Sequence, residues 1–229
     1  MKLKVLKEII KKKENRSEFA IITDLETGNS EIFESNIAIS EDFKKYKDKI
    51  NDFYKDKKSG VIEGTNIFIE SYSRPIRVFI VGAVNIAQYL FDYIKNLNFE
   101  IIVIDPRGYF AGRQRFSGIK IINKWPNEAF KKINTDSDAA LITLTHDTKI
   151  DDPALQHALK KNFYYIGALG SKKTHTSRCE RLKLAGFNED KIKLIHGPIG
   201  INLGGKSASE IALSIAAQLV AVTNRRINV

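Results

Sequence analysis

Between Gly167 and Lys173 the chain places two glycines, a serine and two lysines directly ahead of a helical segment. Backbone amides bared by Gly167 and Gly170, the Ser171 hydroxyl, the ammonium groups of Lys172 and Lys173, and a helix N-terminus all favour negative charge. This run therefore reads as an anion cradle. A second cluster, Thr145, His146 and Asp147, closes the run AALITLTHD. An imidazole beside a carboxylate can serve as acid, base or metal ligand, or can orient a ligand by hydrogen bonds. If the protein catalyses a reaction, His146 and Asp147 are the groups on offer.

Two further clusters point to nucleotides. A dinucleotide fold asks for a glycine turn after its first strand, a second glycine where the pyrophosphate nears the backbone, and a small residue packing helix on strand. Gly82, followed by Ala83, meets the first demand and Ala87 the third, but Val84 sets a branched side chain at the second. Asp105 stands where a ribose-binding acid belongs, and Arg107 could take a 2′-phosphate. The pattern supports the topology rather than the cofactor, and an NAD(P)-dependent oxidoreductase using His146 stays open as an alternative. Residues 200–207, GINLGGKS, match the P-loop spacing, with Lys206 and Ser207 in the nucleotide and magnesium places. The residues after Ser207 read as one helix, so Ser207 and Glu210 are expected to form its capping box, with P-loop-like nucleotide binding a further alternative.

Smaller features have structural readings. Asp152 before Pro153 is expected as a helix N-cap with proline at the first helical position, and Asp151 beside it is read the same way. Cys179, within HTSRCERLKL, is expected to be a small buried hydrophobe, with Arg178 and Arg181 as groups that could lower its pKa. Arg113 and Arg115, in YFAGRQRF, could reach an anion.

These clusters need strands and helices to position them. Apolar runs at 77–81, 100–104, 139–145 and 164–168 lack clean polar alternation, as strands buried on both faces should, and KIKLIHGPIG adds a further strand-like run. Helical segments near 86–96, 153–160, 174–185 and 208–223 alternate with them. The expected fold is α/β, a doubly wound parallel (Rossmann-like) sheet spanning 74–229, whose strand ends carry the clusters above. Residues 1–73 read as a small N-terminal α+β appendage: helix at 3–14, strand at 19–23, turn at 26–29, helix at 42–55 and a hairpin-like stretch at 60–72 with Gly64 near its turn.

Composition narrows the function classes. No apolar stretch reaches the roughly 18 residues of a membrane span, and residues 1–16 lack a signal-peptide apolar core, so a soluble cytoplasmic protein is expected. The single cysteine excludes an internal disulfide and a multi-thiolate zinc site; no metal site is expected. Of the +10 formal charge, residues 1–73 contribute nothing, with 14 basic against 14 acidic residues, so the remaining 23 against 13 hold all of it. A basic α/β part favours an anionic small molecule or acidic partner. Scattered basic residues without a nucleic-acid-binding signature argue against DNA or RNA.

In this order, VGAVNIA, VIDPR, TLTHD, YIGALGSKK and GPIGINLGGKSASEIALSIAAQLVAV resemble the C-terminal domain of the XdhC/CoxI family, the accessory factors of xanthine dehydrogenase and related molybdenum hydroxylases. The resemblance implies a Rossmann-like domain, commonly homodimeric, in a protein that holds molybdenum cofactor and delivers it, matured, to the apoenzyme. It implies that Gly82, Ala83, Asp105, Arg107, Thr145, His146, Asp147, Gly167, Gly170 and Ser171 lie at the ligand cleft. Lys172 is added on charge, as a phosphate-neutralising group. Members usually carry glycine and histidine where Val84 and Asn85 stand, and no lysine at 206. Their front domain bears a GSSPR-like loop and a GGC-E element, neither of which occurs here, so no sulfur-handling role is carried over.

Overall fold

The computed structural model describes residues 3–35, 37–108, 116 and 118–227. Arg113 and Arg115, read above as possible anion contacts, lie outside the described residues. The chain divides into two compact units, the first ending at Pro75 and the second running from Ile76 to Ile227.

The first unit runs α1 (Leu3–Glu14), β1 (Phe19–Asp24), β2 (Ser30–Phe33), α2 (Glu41–Lys44), α3 (Lys47–Lys55), β3 (Gly60–Val61) and β4 (Ile67–Tyr72). Its strands form an antiparallel sheet in the order β2-β1-β4-β3. β1 is apolar without alternation because both its faces are covered. Phe19 and Ile21 pack with Ile9 of α1, while Ala20 and Ile22 pack with Phe43 and Ile50. The single helix expected at 42–55 is two helices: the chain turns at Lys45 and Tyr46, where the Tyr46 amide donates to Phe43 O at 2.9 Å. The break leaves Phe43 and Ile50 buried in one cluster.

The second unit runs β5 (Ile76–Val81), α4 (Asn85–Ile94), β6 (Phe99–Ile104), β7 (Lys120–Ile122), α5 (Pro126–Lys132), β8 (Ala139–Thr143), α6 (Thr148–Lys160), β9 (Tyr165–Ala168), α7 (Lys172–Leu184), α8 (Glu189–Ile192), β10 (Ile195–His196) and α9 (Ala208–Ile227). All its strand pairs are parallel, in the order β10-β9-β8-β5-β6-β7. Counted from β5 this is 3-2-1-4-5-6, the doubly wound order whose ligands bind where the winding reverses. β7 was not anticipated. It is a short edge strand of three residues, none of them fully buried.

Side-chain direction along β5 explains the core. Val78 and Ile80 point to a cluster shared with Leu90 of α4 and Ile215 and Leu219 of α9. Phe79 and Val81 point the other way, to Phe130 of α5 and Ile150 and Leu155 of α6. The sheet is thus the middle of three layers, and its strand ends are held on both sides by packed helices.

Phe79 is fully buried, with ring centroids 5.3 Å from Phe130 and 5.8 Å from Phe163. Phe79→Ala should lower stability by about 3–5 kcal/mol, read as a drop in urea midpoint with the m-value unchanged.

Candidate functional site

The loop after β5 closes against its neighbours. Gly82 has φ +109°, and a Cβ there would sit 2.6 Å from Thr145 Cγ2, so glycine is required by conformation and contact alike. The next amide, that of Ala83, donates to Asp105 Oδ2 at 2.7 Å. Asp105, at the end of β6, has no exposed surface. It also accepts from the Arg107 amide at 2.9 Å and from Arg107 Nε and Nη2 at 3.0 and 2.9 Å. Burial pushes its carboxyl up, but these donors outweigh burial and hold it below the ordinary carboxylate value. The acid read as a ribose contact is engaged inside the fold, as a clasp between two strand ends.

After β8 the chain enters the left-handed region at His146, φ +60°, a conformation histidine adopts more readily than most side chains. His146 is exposed. Asp147 is the N-cap of α6, accepting from the Lys149 amide at 2.9 Å. The helix therefore begins five residues earlier than expected, and Asp152 is not its cap. Pro153 lies within the helix. Asp151, in the first turn, takes the Thr145 hydroxyl on Oδ1 at 2.6 Å and is buried. Burial pushes its carboxyl up, against the Thr145 hydrogen bond and the Arg178 charge. Asp152 forms a two-point ion pair with Arg181 of α7, Nε to Oδ2 at 2.6 Å and Nη2 to Oδ1 at 3.1 Å.

Gly167, within β9, and Gly170, beyond it, serve packing first. A Cβ on Gly167 would strike Ile199 Cδ1 at 2.3 Å, and one on Gly170, φ +146°, would strike Thr174 Cγ2 at 2.9 Å. Ser171 caps α7, accepting from the Thr174 amide at 3.1 Å. Cys179 is half-buried against the core, its Sγ 3.5 Å from His175 Nε2.

Between α6 and α7 lies an open cavity of about 270 Å³. His146, Thr148, Asp151 and Asp152 line one side, and Lys173, Thr174, Ser177, Arg178 and Arg181 the other. Lys173, and not its neighbour Lys172, contributes to the wall. Arg178 is 2% exposed and donates through Nη2 to Leu169 O at 2.8 Å. Burial lowers its pKa, partly offset by Asp151 and Asp152, but a guanidinium stays charged. Of the residues read from sequence as ligand contacts, His146 and Lys173 line this cavity. Thr145 holds Asp151 of its wall, and Arg107 senses the charges of Asp147 and Asp151. Arg178 and Asp151 were missed as site residues. Their signal was a charge at a core-facing position: Thr174, Arg178 and Leu182 share one helical face, and Leu182 is buried.

At GINLGGKS the Lys206 and Ser207 amides, which a P-loop would offer to phosphate, donate to Glu210 Oε2 at 3.1 and 2.9 Å. The Glu210 amide in turn donates to Ser207 Oγ at 3.3 Å, completing the expected capping box.

A family model described as the XdhC Rossmann domain matches residues 78–219. The chain belongs to this XdhC family. Molybdenum cofactor insertion chaperone PaoD of Escherichia coli is 36% identical to this XdhC protein over 102 residues, 44% of this chain and 31% of PaoD. A Bacillus subtilis protein described as a probable subunit of xanthine dehydrogenase is 26% identical over 162 residues, 70% of this chain and 47% of the relative. The chain thus spans less than half the length of these curated relatives. A solved structure described as a xanthine dehydrogenase from Bacillus halodurans shares the fold, with TM-score 0.72 at 23% identity, over 97% of this chain and 65% of the other.

The XdhC clasp predicts acid sensitivity. A carboxyl whose folded pKa is depressed contributes stability that is complete above its unfolded value, about 3.9, and drains away as pH falls through the folded value. Asp105→Asn should cost about 3 kcal/mol at neutral pH. It should also flatten the fall in stability below about pH 4, measured by denaturant unfolding across pH.

Proposed function

We propose that this protein is an accessory factor that holds molybdenum cofactor, or a closely related anionic pterin, and assists its maturation or insertion into a xanthine dehydrogenase-type molybdoenzyme. The observation that carries the reading is the cavity between α6 and α7, a polar hollow beside the strand ends where buried Arg178 stands with Lys173 and Arg181. Membership of the XdhC family and the similarity to an insertion chaperone support it from the other side. The donor set fits such cargo: Lys173 and the Ser177 and Thr174 hydroxyls suit a phosphate-bearing tail, and the Arg178 guanidinium and the His146 imidazole suit hydrogen bonds to a heterocycle. The protein's own part is binding, orienting and release to the partner enzyme, with no bond made or broken on its side chains. The reading sets it in the cytoplasm as a homodimer, which sedimentation of the purified protein would test.

Titration of the purified protein with molybdenum cofactor tests the central claim. Wild type should bind, and Lys173→Ala combined with His146→Ala should weaken binding by at least about tenfold, while Lys172→Ala stays close to wild type. A wild-type protein that does not bind, or a double variant that binds as wild type does, overturns it.

A further inference from the structure

Two buried ionic groups in this cavity are each only partly satisfied. Arg178 of α7 and Asp151 of α6 are both 2% exposed and both line its wall. The guanidinium spends Nη2 on Leu169 O, while Nε and Nη1 are buried without a hydrogen-bond partner. The carboxylate takes the Thr145 hydroxyl on Oδ1, while Oδ2 is buried without a partner. The open atoms do not satisfy one another, although each charge stabilises the other across the gap. An ion withdrawn from water and left without full hydrogen bonding costs several kcal/mol. A ligand that supplies the missing partners is favoured for that reason.

The two groups together define what that ligand must carry. A simple oxyanion would satisfy Arg178 and be repelled by Asp151. A cation would do the reverse. Satisfying both takes a neutral rim that offers N–H donors to the carboxylate and, next to them, an acceptor to the guanidinium. We propose that this cavity reads the 2-amino-oxo edge shared by pterins and guanine. The exocyclic amine and ring N–H donate to Asp151, and the adjacent carbonyl oxygen accepts from Nε and Nη1 of Arg178. The inference rests on the pterin reading above and deepens it by fixing which end of the ligand goes inward. At about 270 Å³ the cavity is below the ~300–1,000 Å³ usual for whole drug-sized ligands, so it suits a bicyclic head with its charged tail left in the mouth. Lys173 and Ser177 stand there to meet that tail.

The test is titration calorimetry of the full chain with four probes: 6-hydroxymethylpterin, its 2-oxo lumazine counterpart, GMP and XMP. Wild type should bind the 2-amino member of each pair ~10- to 100-fold more tightly, because the 2-oxo analogue turns an acceptor toward Asp151. Asp151→Asn presents one acceptor and one donor, and should reverse the preference toward lumazine and XMP. Tighter binding of the pterin than of GMP assigns the edge to pterins, and the opposite order assigns it to guanine nucleotides. Equal affinity within the pairs, no binding of any probe, or an Asp151→Asn protein that keeps the wild-type preference overturns the proposal. If a thermal melt shows that Asp151→Asn does not fold, the wild-type preference decides, with Arg178→Lys expected to weaken both 2-amino probes at least ~10-fold. Molybdenum cofactor binding with no preference within the pairs would sink the edge assignment alone. The converse result would sink the chaperone reading and leave the edge assignment standing.

Discussion

A guanidinium taken out of water keeps its charge, and much of the local architecture around α7 follows from seating one. Arg178 reaches back over the first turns of its helix to the Leu169 carbonyl, which lies just beyond β9. The chain must then reverse at Gly170 in a conformation closed to side chains, with Thr174 against the turn and Arg178 Nη2 3.6 Å from where a Cβ would be. Ser171 can cap α7 only from that position. The glycine, the serine and the buried arginine are one device, and the cavity is what that device leaves open on the side of α6.

The opposite flank uses the apparatus of a dinucleotide fold to hold itself shut. In such folds the first glycine turn faces the pyrophosphate and the acid after the second strand takes the ribose. Here the Gly82 turn meets Thr145, the Ala83 amide is held by Asp105, and Arg107 covers the same carboxylate. The cavity lies instead beyond β8 and β9, where His146 and the first turns of α6 and α7 line it. Thr145 joins the two regions, touching the Gly82 turn on one side and fixing Asp151 on the other.

The strand framework was legible because burial on both faces leaves a mark: Arg77 to Val81 carries four apolar residues in succession, and two different clusters claim alternate members. β7 left no such mark, since an edge strand of three residues needs only one side covered. The start of α6 was misplaced because Asp152–Pro153 is a strong local capping signal, whereas the Asp147 cap depends on His146 holding a left-handed turn that composition does not reveal. The cavity lysine was off by one position for a related reason. Which of two adjacent lysines faces inward depends on helix phase, and that phase is fixed by Arg178 and Leu182 being buried on α7.

The two glycine-rich helix starts show why a letter match is a weaker guide than the fate of the amides. The first amides of any helix lack intrahelical partners, and whichever acceptor reaches them first sets what the terminus can do. At α9 the match to a P-loop is complete in spelling, yet Glu210 takes the Lys206 and Ser207 amides, so a phosphate arriving there would have to displace a carboxylate already in place. At α7 the cap is a neutral serine that takes the Thr174 amide, and no carboxylate of its own helix occupies the first turn. The positive end of that dipole is left to act on whatever enters the cavity that Lys173 and Thr174 line. Of these two helix starts, the one at α7 keeps its first turn clear of a carboxylate from its own helix, and the one at α9 does not.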